Sequence, residues 1–444
     1  MTKTRPNILF IFTDQQSASM MSCAGNRYVN TPAMDSIAER GVRFERAYCA
    51  NPMCVPSRFS LLTGHLGSDI GLLNNADKHI EVVSEDITEN ALGWRLQAAG
   101  YKTAYGGKVH LPKNLSPKDL GFEVISEDER DGLARSCVDF LSQSHEQPFL
   151  LSASFVNPHD ICHLAIRDFA ETELEKELSR SERIELKEVD RALQFPEGVS
   201  RDAFFAWHCP PLPENFEIQQ DEPEAIRLMQ ARSPFKAKTR ANYSEEQWRL
   251  HRWAYARLTE RVDEQIGQVL KALDDNGLTK STLVVFSSDH GDMDASHHME
   301  HKTAFYDEAS RIPLLVAGAG VTHKNVVNTH LVSNGLDLLP TFCDAAGADL
   351  PKGLRGSSLL PILREEPLTS WREVLPVESE MGQMIVSRRY KYMLHFEGEH
   401  REQLIDLLTD PGETRNAVND PENKAILADL RTKFADAFPN NPVT

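Results

Sequence analysis

Residues 7–14, NILFIFTD, run apolar with no polar break and then stop at a carboxylate. A strand with one face in water alternates; a strand that does not alternate must be covered on both faces, as in a parallel sheet flanked by helices. Four further segments read the same way and end in polar residues: KTAYGGKVH (102–110), PFLLSASFVNPHD (148–160), TLVVFSSDHGD (282–292) and RIPLLVAGAG (311–320). Helical patterns separate them. TPAMDSIAERG (31–41) offers Thr31 as a cap, Pro32 in the first turn and Gly41 past the end. The longest, from Ser244 to Gly277, lines up Tyr255, Leu258, Val262, Ile266, Val269 and Leu273 at helical spacing. The alternation predicts an α/β fold: a large mixed, mostly parallel sheet sandwiched by helices.

At 444 residues the chain exceeds one compact domain. After about residue 350 the texture changes. MIVSRRYKYMLHF (384–396) alternates as a strand, EGEH reads as a turn, and KAILADLRTKFADAF (424–438) is helical. The expected division is a large catalytic domain, 1–348, with a variable insertion at about 165–240, and a C-terminal subdomain, 349–444, carrying an antiparallel sheet and a helix. Residues 168–195 form a charged helical excursion that reads as a solvated face.

A net charge of -18 argues against nucleic acid or an anionic membrane surface as the main partner. No stretch approaches the length of a membrane span. The seven cysteines are odd in number and lack C-x-x-C spacing, which excludes a disulfide framework and a structural zinc site. The opening run is too short for a leader, ends in Asp14 and precedes no small-residue cleavage site. The chain as it stands reads as cytoplasmic, or as periplasmic or secreted if a leader has been removed.

Ligands of open α/β sheets bind outside the carboxyl ends of the strands. The predicted strand ends carry Asp14, Gln15, Lys108, His110, His159, Asp289 and His290. Oxygen donors with an imidazole suit a divalent cation such as Ca²⁺, Mg²⁺ or Mn²⁺, and the basic residues suit an oxyanion bound beside it. CVPSR (54–58) adds a thiol at the mouth of a short helix.

CVPSR also matches the C-x-P-x-R signature of the type I sulfatases of the alkaline phosphatase superfamily, and its continuation FSLLTG fits the same family. PNILFIFTDQQ, GGKVH, NPHD, SDHGD, HKTAFYDEASRIPLL and DLLTDPGETRN resemble the family in order along most of the chain. The resemblance implies a sulfatase in which a formylglycine-generating or maturase enzyme oxidises Cys54 to formylglycine. It implies a metal held by Asp14, Gln15, Cys54, Asp289 and His290, with Ca²⁺ the first choice and Mn²⁺ or Mg²⁺ next. Many relatives carry aspartate where this chain has Gln15 and asparagine where it has His290. Arg58 is then expected to stabilise the charged aldehyde hydrate, Lys108 and Lys302 to grip sulfate, His159 to protonate the departing alcohol and His110 to take a proton when sulfate is expelled.

The implied substrate is a small anionic sulfate ester, read as a sulfated mono- or oligosaccharide. A choline-sulfatase-like enzyme and a phosphonate monoester or phosphodiester hydrolase of the same superfamily are the alternatives. His163, His208 and His301 are candidate substrate contacts. His297, His298 and His301 in SHHMEHK also read as exposed loop histidines, Cys162 as buried filler, and Trp207 as either a sugar-stacking face or a packed loop aromatic.

Overall fold

In this computed structural model, which describes residues 5–76 and 83–439, Asn7–Asp14 lies near the middle of an eight-stranded sheet. Across the sheet the order is Glu123–Ser126, Lys102–Gly107, Phe149–Pro158, Asn7–Asp14, Thr282–Ser288, Leu314–Gly318, Gly41–Phe44 and Val326–Asn328. Seven strands run one way, and Leu314–Gly318 alone opposes its neighbours. The sheet is therefore mixed and mostly parallel, as the unbroken apolar runs require.

Alternate side chains of the first strand feed two separate cores. Ile8, Phe10 and Phe12 pack against Leu338, Leu339 and Phe342 from the helix Asn334–Ala346 and Leu61 and Leu62 from the helix Cys54–Thr63. Leu9 and Ile11 pack on the other face against Met34 and Ile37 of Pro32–Arg40 and Val262, Ile266 and Val269 of Glu245–Asp275. The long helix begins at a reciprocal cap in which the Ser244 hydroxyl accepts from Gln247 N–H and the Gln247 side chain accepts from Ser244 N–H. Thr31 holds the cap position of Pro32–Arg40, but its hydroxyl accepts from Ser22 N–H instead of from the helix.

The C-terminal part carries a four-stranded antiparallel sheet, Val374–Ser379, Gly382–Ser387, Tyr390–His395 and Glu402–Asp406, in chain order. Leu427, Leu430 and Phe434 of the helix Lys424–Ala437 pack on it. MIVSRRYKYMLHF is thus two strands, not one: the Ser387 hydroxyl oxygen accepts from Tyr390 N–H at 2.8 Å and turns the chain at Arg388 and Arg389. The charged excursion is only partly solvated, because Val189 and Ala192 are buried against Leu164, Tyr255 and Leu258. Among the described residues no helix is long and apolar enough to cross a membrane.

A buried lysine ties the C-terminal sheet to the segment that precedes Leu314–Gly318. Lys391 Nζ lies 2.8 Å from Glu413 Oε1 and 2.6 Å from Asp307 Oδ1, and donates to Phe305 O at 3.0 Å. Removing one partner from such a cluster strands the others without compensation in a low dielectric. Lys391→Met is expected to lower the unfolding free energy by about 3–5 kcal/mol in a urea titration. An unchanged midpoint would show that the cluster contributes no net stability.

Candidate active site

Parallel register sets the first two functional groups. Thr13 pairs with Ser288, so Asp14 and Asp289 leave adjacent strands together, both with no exposed surface. Gln15 turns into the left-handed region (φ 68°), and its N–H donates to Asp289 Oδ1 at 3.0 Å. Two buried carboxylates this close repel each other. Burial pushes the Asp289 carboxyl up to about 6, with the Asp14 charge adding to the rise. Burial also acts to raise Asp14, but Lys108, His159 and Arg58 outweigh it and hold that carboxyl well below the usual range.

Arg58 spans the pair. Its Nε donates to Asp289 Oδ2 at 2.8 Å and its Nη2 to Asp14 Oδ2 at 2.9 Å, while Nη1 donates to Lys108 O at 2.9 Å and Ser154 Oγ at 2.7 Å. The guanidinium is fully engaged by the frame of the site. Its hydrogen bonds stabilise the two carboxylates, not the group at residue 54. Gly107 allows the neighbouring strands to close here: at φ +90° a Cβ would lie 2.1 Å from Ser154 O. Lys108 follows it, and its ammonium reaches Asp14 Oδ2 at 2.8 Å.

Cys54 opens the helix Cys54–Thr63, one turn before Arg58 and on the same face. Its sulfur lies 3.1 Å from His290 Nε2, 3.1 Å from Lys302 Nζ and 3.8 Å from Asp14 Oδ1. His110 and His159 also act on it electrostatically. Burial and the Asp14 charge push this thiol up, yet Lys302, His290 and His110 prevail and hold it well below the ordinary range. His290 Nδ1 donates to Gly291 O at 2.9 Å, so in the neutral ring Nε2 presents a bare lone pair to Cys54. One donor atom from each of Asp14, Cys54, Asp289 and His290 lies within 4.8 Å of the others, all on buried residues.

The remaining predicted residues separate. Gln15 Oε1 accepts from Lys302 Nζ at 2.7 Å and Cys162 Sγ at 3.0 Å, and its amide nitrogen donates to Asp292 Oδ2 at 2.6 Å. Cys162 therefore touches the site frame and is more than filler. His163 lies beside His159 with ring centres 6.5 Å apart, but its Nδ1 is engaged by Leu178 O at 3.2 Å. His208 is exposed and, with Trp207, Arg27 and Trp253, lines a separate hollow of about 610 Å³. Trp207 is 81% exposed, so it is not a packed loop aromatic.

His297 and His301 are buried, contrary to the reading of exposed loop histidines. His297 stacks on Tyr306 at 4.1 Å, His298 lies 4.0 Å from the Phe216 ring, and His301 lies 5.1 Å from the Phe235 ring and pairs with Glu300. The cover comes from the insertion, which supplies both phenylalanines. Ser154 was not foreseen as part of the site. Its signal was available: Ser152 and Ser154 put two hydroxyls into a buried, mostly apolar strand, FLLSASFVNP.

Residues 6–348 match the family model described as Sulfatase, and residues 295–438 match the one described as N-sulphoglucosamine sulphohydrolase, C-terminal. The chain is 31% identical to a Delta 4,5-hexuronate-2-O-sulfatase of Bacteroides thetaiotaomicron, over 97% of this chain and 88% of that one. The solved structure of a 2-O GAG sulfatase superposes with a TM-score of 0.81 at 27% identity, covering 98% of this chain and 92% of the other. The phosphonate monoester hydrolase of Agrobacterium radiobacter shares the fold at 20% identity, with a TM-score of 0.73 over 97% and 95% of the two chains.

Arg58→Lys keeps a positive charge but offers one ammonium to acceptors on Asp14, Asp289, Lys108 and Ser154. The substitution is expected to cost about 3 kcal/mol of stability, read as a lower urea midpoint, because one buried carboxylate loses its cation. A midpoint equal to the parent's would mean that the two carboxylates do not depend on the guanidinium.

Proposed function

The chain belongs to the sulfatase family and is a sulfuric ester hydrolase, and on that premise we propose that it removes sulfate from a sulfated mono- or oligosaccharide. The observation that carries this reading is the set of groups around Cys54: Lys302 and His290 each lie 3.1 Å from one buried sulfur, Asp14 lies beside it, and the charges of His110 and His159 act on the same place. Two imidazoles with separate surroundings suit a reaction needing both an acid and a base, which simple anion binding does not. The carbohydrate part is supported by relatives named for a hexuronate and for GAG. The phosphonate hydrolase likeness is one of fold alone. On the same reading residues 1–348 form the catalytic domain, with its insertion at about 165–240, and 349–444 a C-terminal subdomain.

The residues that fit a divalent cation are Asp14, Asp289, His290 and residue 54, with Gln15 alongside. A cation there would supply positive charge to the sulfate and lower the pKa of an attacking oxygen. Formylglycine at residue 54, made by a formylglycine-generating or maturase enzyme, would supply an aldehyde hydrate as the nucleophile. The chain's own groups do the rest. Lys108 and Lys302 hold the sulfate oxygens, and His110 takes a proton as sulfate leaves. His159 gives its proton to the departing alcohol oxygen. In the free pocket burial, with Lys108 beside it, presses the His159 ring down to about 3. A sulfate ester between the two lysines offsets that field and restores the proton, so the acid is armed by its substrate.

A thiol at residue 54 makes a sulfur, nitrogen and oxygen donor set that favours a softer ion such as Zn²⁺. An oxygen there makes a harder set that favours Ca²⁺. Calorimetry is expected to show Ca²⁺ binding tighter after maturation of Cys54 and Zn²⁺ binding tighter before it. Identical preference in both forms would remove residue 54 from the ligand set.

The activity itself is tested on matured protein with a panel of sulfated sugars and a nitrophenyl sulfate. Cys54→Ala should release no sulfate from any of them. A sugar alkoxide needs a proton to leave, whereas a nitrophenolate does not. His159→Ala is therefore expected to slow sugar sulfates by roughly 10²–10⁴-fold and the nitrophenyl ester far less. Equal losses on both would leave His159 a binding residue, and turnover by Cys54→Ala at the parent rate would overturn the reading.

A further inference from the structure

The last two strands of the large sheet, Gly41–Phe44 and Val326–Asn328, run parallel and end on the same side as Asn7–Asp14. Gly41–Phe44 is three strands from Asn7–Asp14, roughly 14 Å at the usual strand spacing. Arg46 leaves one strand end and His330 the other. A hollow of about 570 Å³ opens between them and the C-terminal sheet. Its far wall is Trp371 and Arg372, just ahead of Val374–Ser379, with Arg388 and Arg389 at the turn after Gly382–Ser387. None of these residues belongs to the site around Cys54.

In a chain of net charge -18 this wall is basic. Two of its four guanidinium groups are matched. Arg372 Nη1 donates to Asp337 Oδ2 at 2.8 Å, and Arg389 Nε donates to Asp406 Oδ1 at 2.9 Å. Arg46 and Arg388 are not. Among the described residues neither has an ion-pair partner, and Arg46 Nη1 is buried with no hydrogen-bond acceptor. The carboxylate on the wall, Glu373, is taken by Lys433 at 3.0 Å. A buried N–H without an acceptor is costly and rare in folded proteins, and like charges gathered on one wall repel. A tetrahedral oxyanion relieves both, because its oxygens match guanidinium forks approaching from more than one side.

We propose that this hollow is a second anion site, separate from the catalytic one, which holds sulfate or phosphate with Arg46 and Arg388 as its donors. The inference does not depend on the sulfatase reading. A free ion and an ester of it share this chemistry, and the hollow is larger than one oxyanion. The Trp371 ring, fixed by its Nε1 donating to Leu331 O at 2.8 Å, borders the space left for an organic group.

The test is calorimetric titration of the full chain, at constant ionic strength, with inorganic sulfate, inorganic phosphate and phenyl phosphate. Arg388→Gln removes an exposed side chain that has no ion-pair partner. It is expected to weaken anion binding at the hollow roughly 10–100-fold, the usual weight of a hydrogen bond to a charged group, and to leave kcat/KM on a nitrophenyl sulfate unchanged. Arg46→Gln should do the same, with Arg46→Lys between it and the parent. Where Arg46→Gln fails to fold, Arg388→Gln carries the measurement. Tighter binding of phenyl phosphate than of inorganic phosphate identifies an ester as the occupant, and equal affinity the free ion. Titrations of both Gln variants that match the parent's overturn the proposal. So does a parallel loss of turnover in Arg388→Gln, which would put the anion in the catalytic pocket. Binding abolished by sodium chloride at about 0.15 M would also overturn it, because a merely screened basic surface holds any anion.

Discussion

Two carboxylates without solvent, on neighbouring parallel strands, set the terms for the rest of the molecule. Moving an isolated carboxylate into such surroundings costs several kcal/mol, so the strand ends at Asp14 and Asp289 are stable only with cations brought to them. Arg58 arrives from a helix 44 residues away from Asp14 and 231 from Asp289 in sequence. Its planar fork serves both, which fixes the rotation and depth of the helix Cys54–Thr63. Cys54 lies one turn earlier on that helix, so its place against Asp14 and His290 follows from the docking of Arg58. The place of Cys54 is a consequence of charge compensation.

The same requirement explains where the backbone is strained. Asp294, Ala295, His297, His298, His301 and Thr303 all have positive φ, a conformation that non-glycine residues adopt at a cost of order 1–3 kcal/mol where it is unfavourable. Lys302 sits inside this run. A relaxed loop would have no reason to drive a lysine onto a buried thiol and the side-chain oxygen of Gln15. Packing holds it there instead, through His297 on Tyr306 and His301 beside Phe235. Distortion concentrates where a cation has to be delivered to a site already holding Arg58 and Lys108.

Legibility in the sequence followed the range of the forces involved. Strands covered on both faces announce themselves in consecutive residues, so Asn7–Asp14, Phe149–Pro158 and Thr282–Ser288 and their polar ends could be read directly. The bonds of Arg58 could not. Its place one turn after Cys54 suggested service to that residue, whereas its partners come from strands far away in the chain. The MIVSRRYKYMLHF hairpin was hidden because its turn, at Arg388 and Arg389, contains no Gly, Pro or Asn to mark it. The histidines of SHHMEHK looked exposed because the stretch around them is mostly polar, with Met299 its one large apolar side chain. The aromatic rings that cover them, Phe216 and Phe235, lie in the segment with the weakest family likeness.

The local arrangement of charge resolves the contradiction between a protein of net charge -18 and a site for an anion. Around residue 54 the formal charges run the other way, with Arg58, Lys108 and Lys302 facing Asp14 and Asp289. Surface charge is screened within about 8 Å at physiological salt, so the acidic exterior acts mainly on encounter and little on the enclosed pocket. Inside, the low dielectric magnifies every unmatched group. The frame from the two strands and the helix gathers cations about two buried carboxylates, and the insertion sets the cover above it. The catalytic chemistry is thus built from the rigid sheet, where register leaves few alternatives. The insertion packs over that frame through Phe216 and Phe235, away from the buried carboxylates.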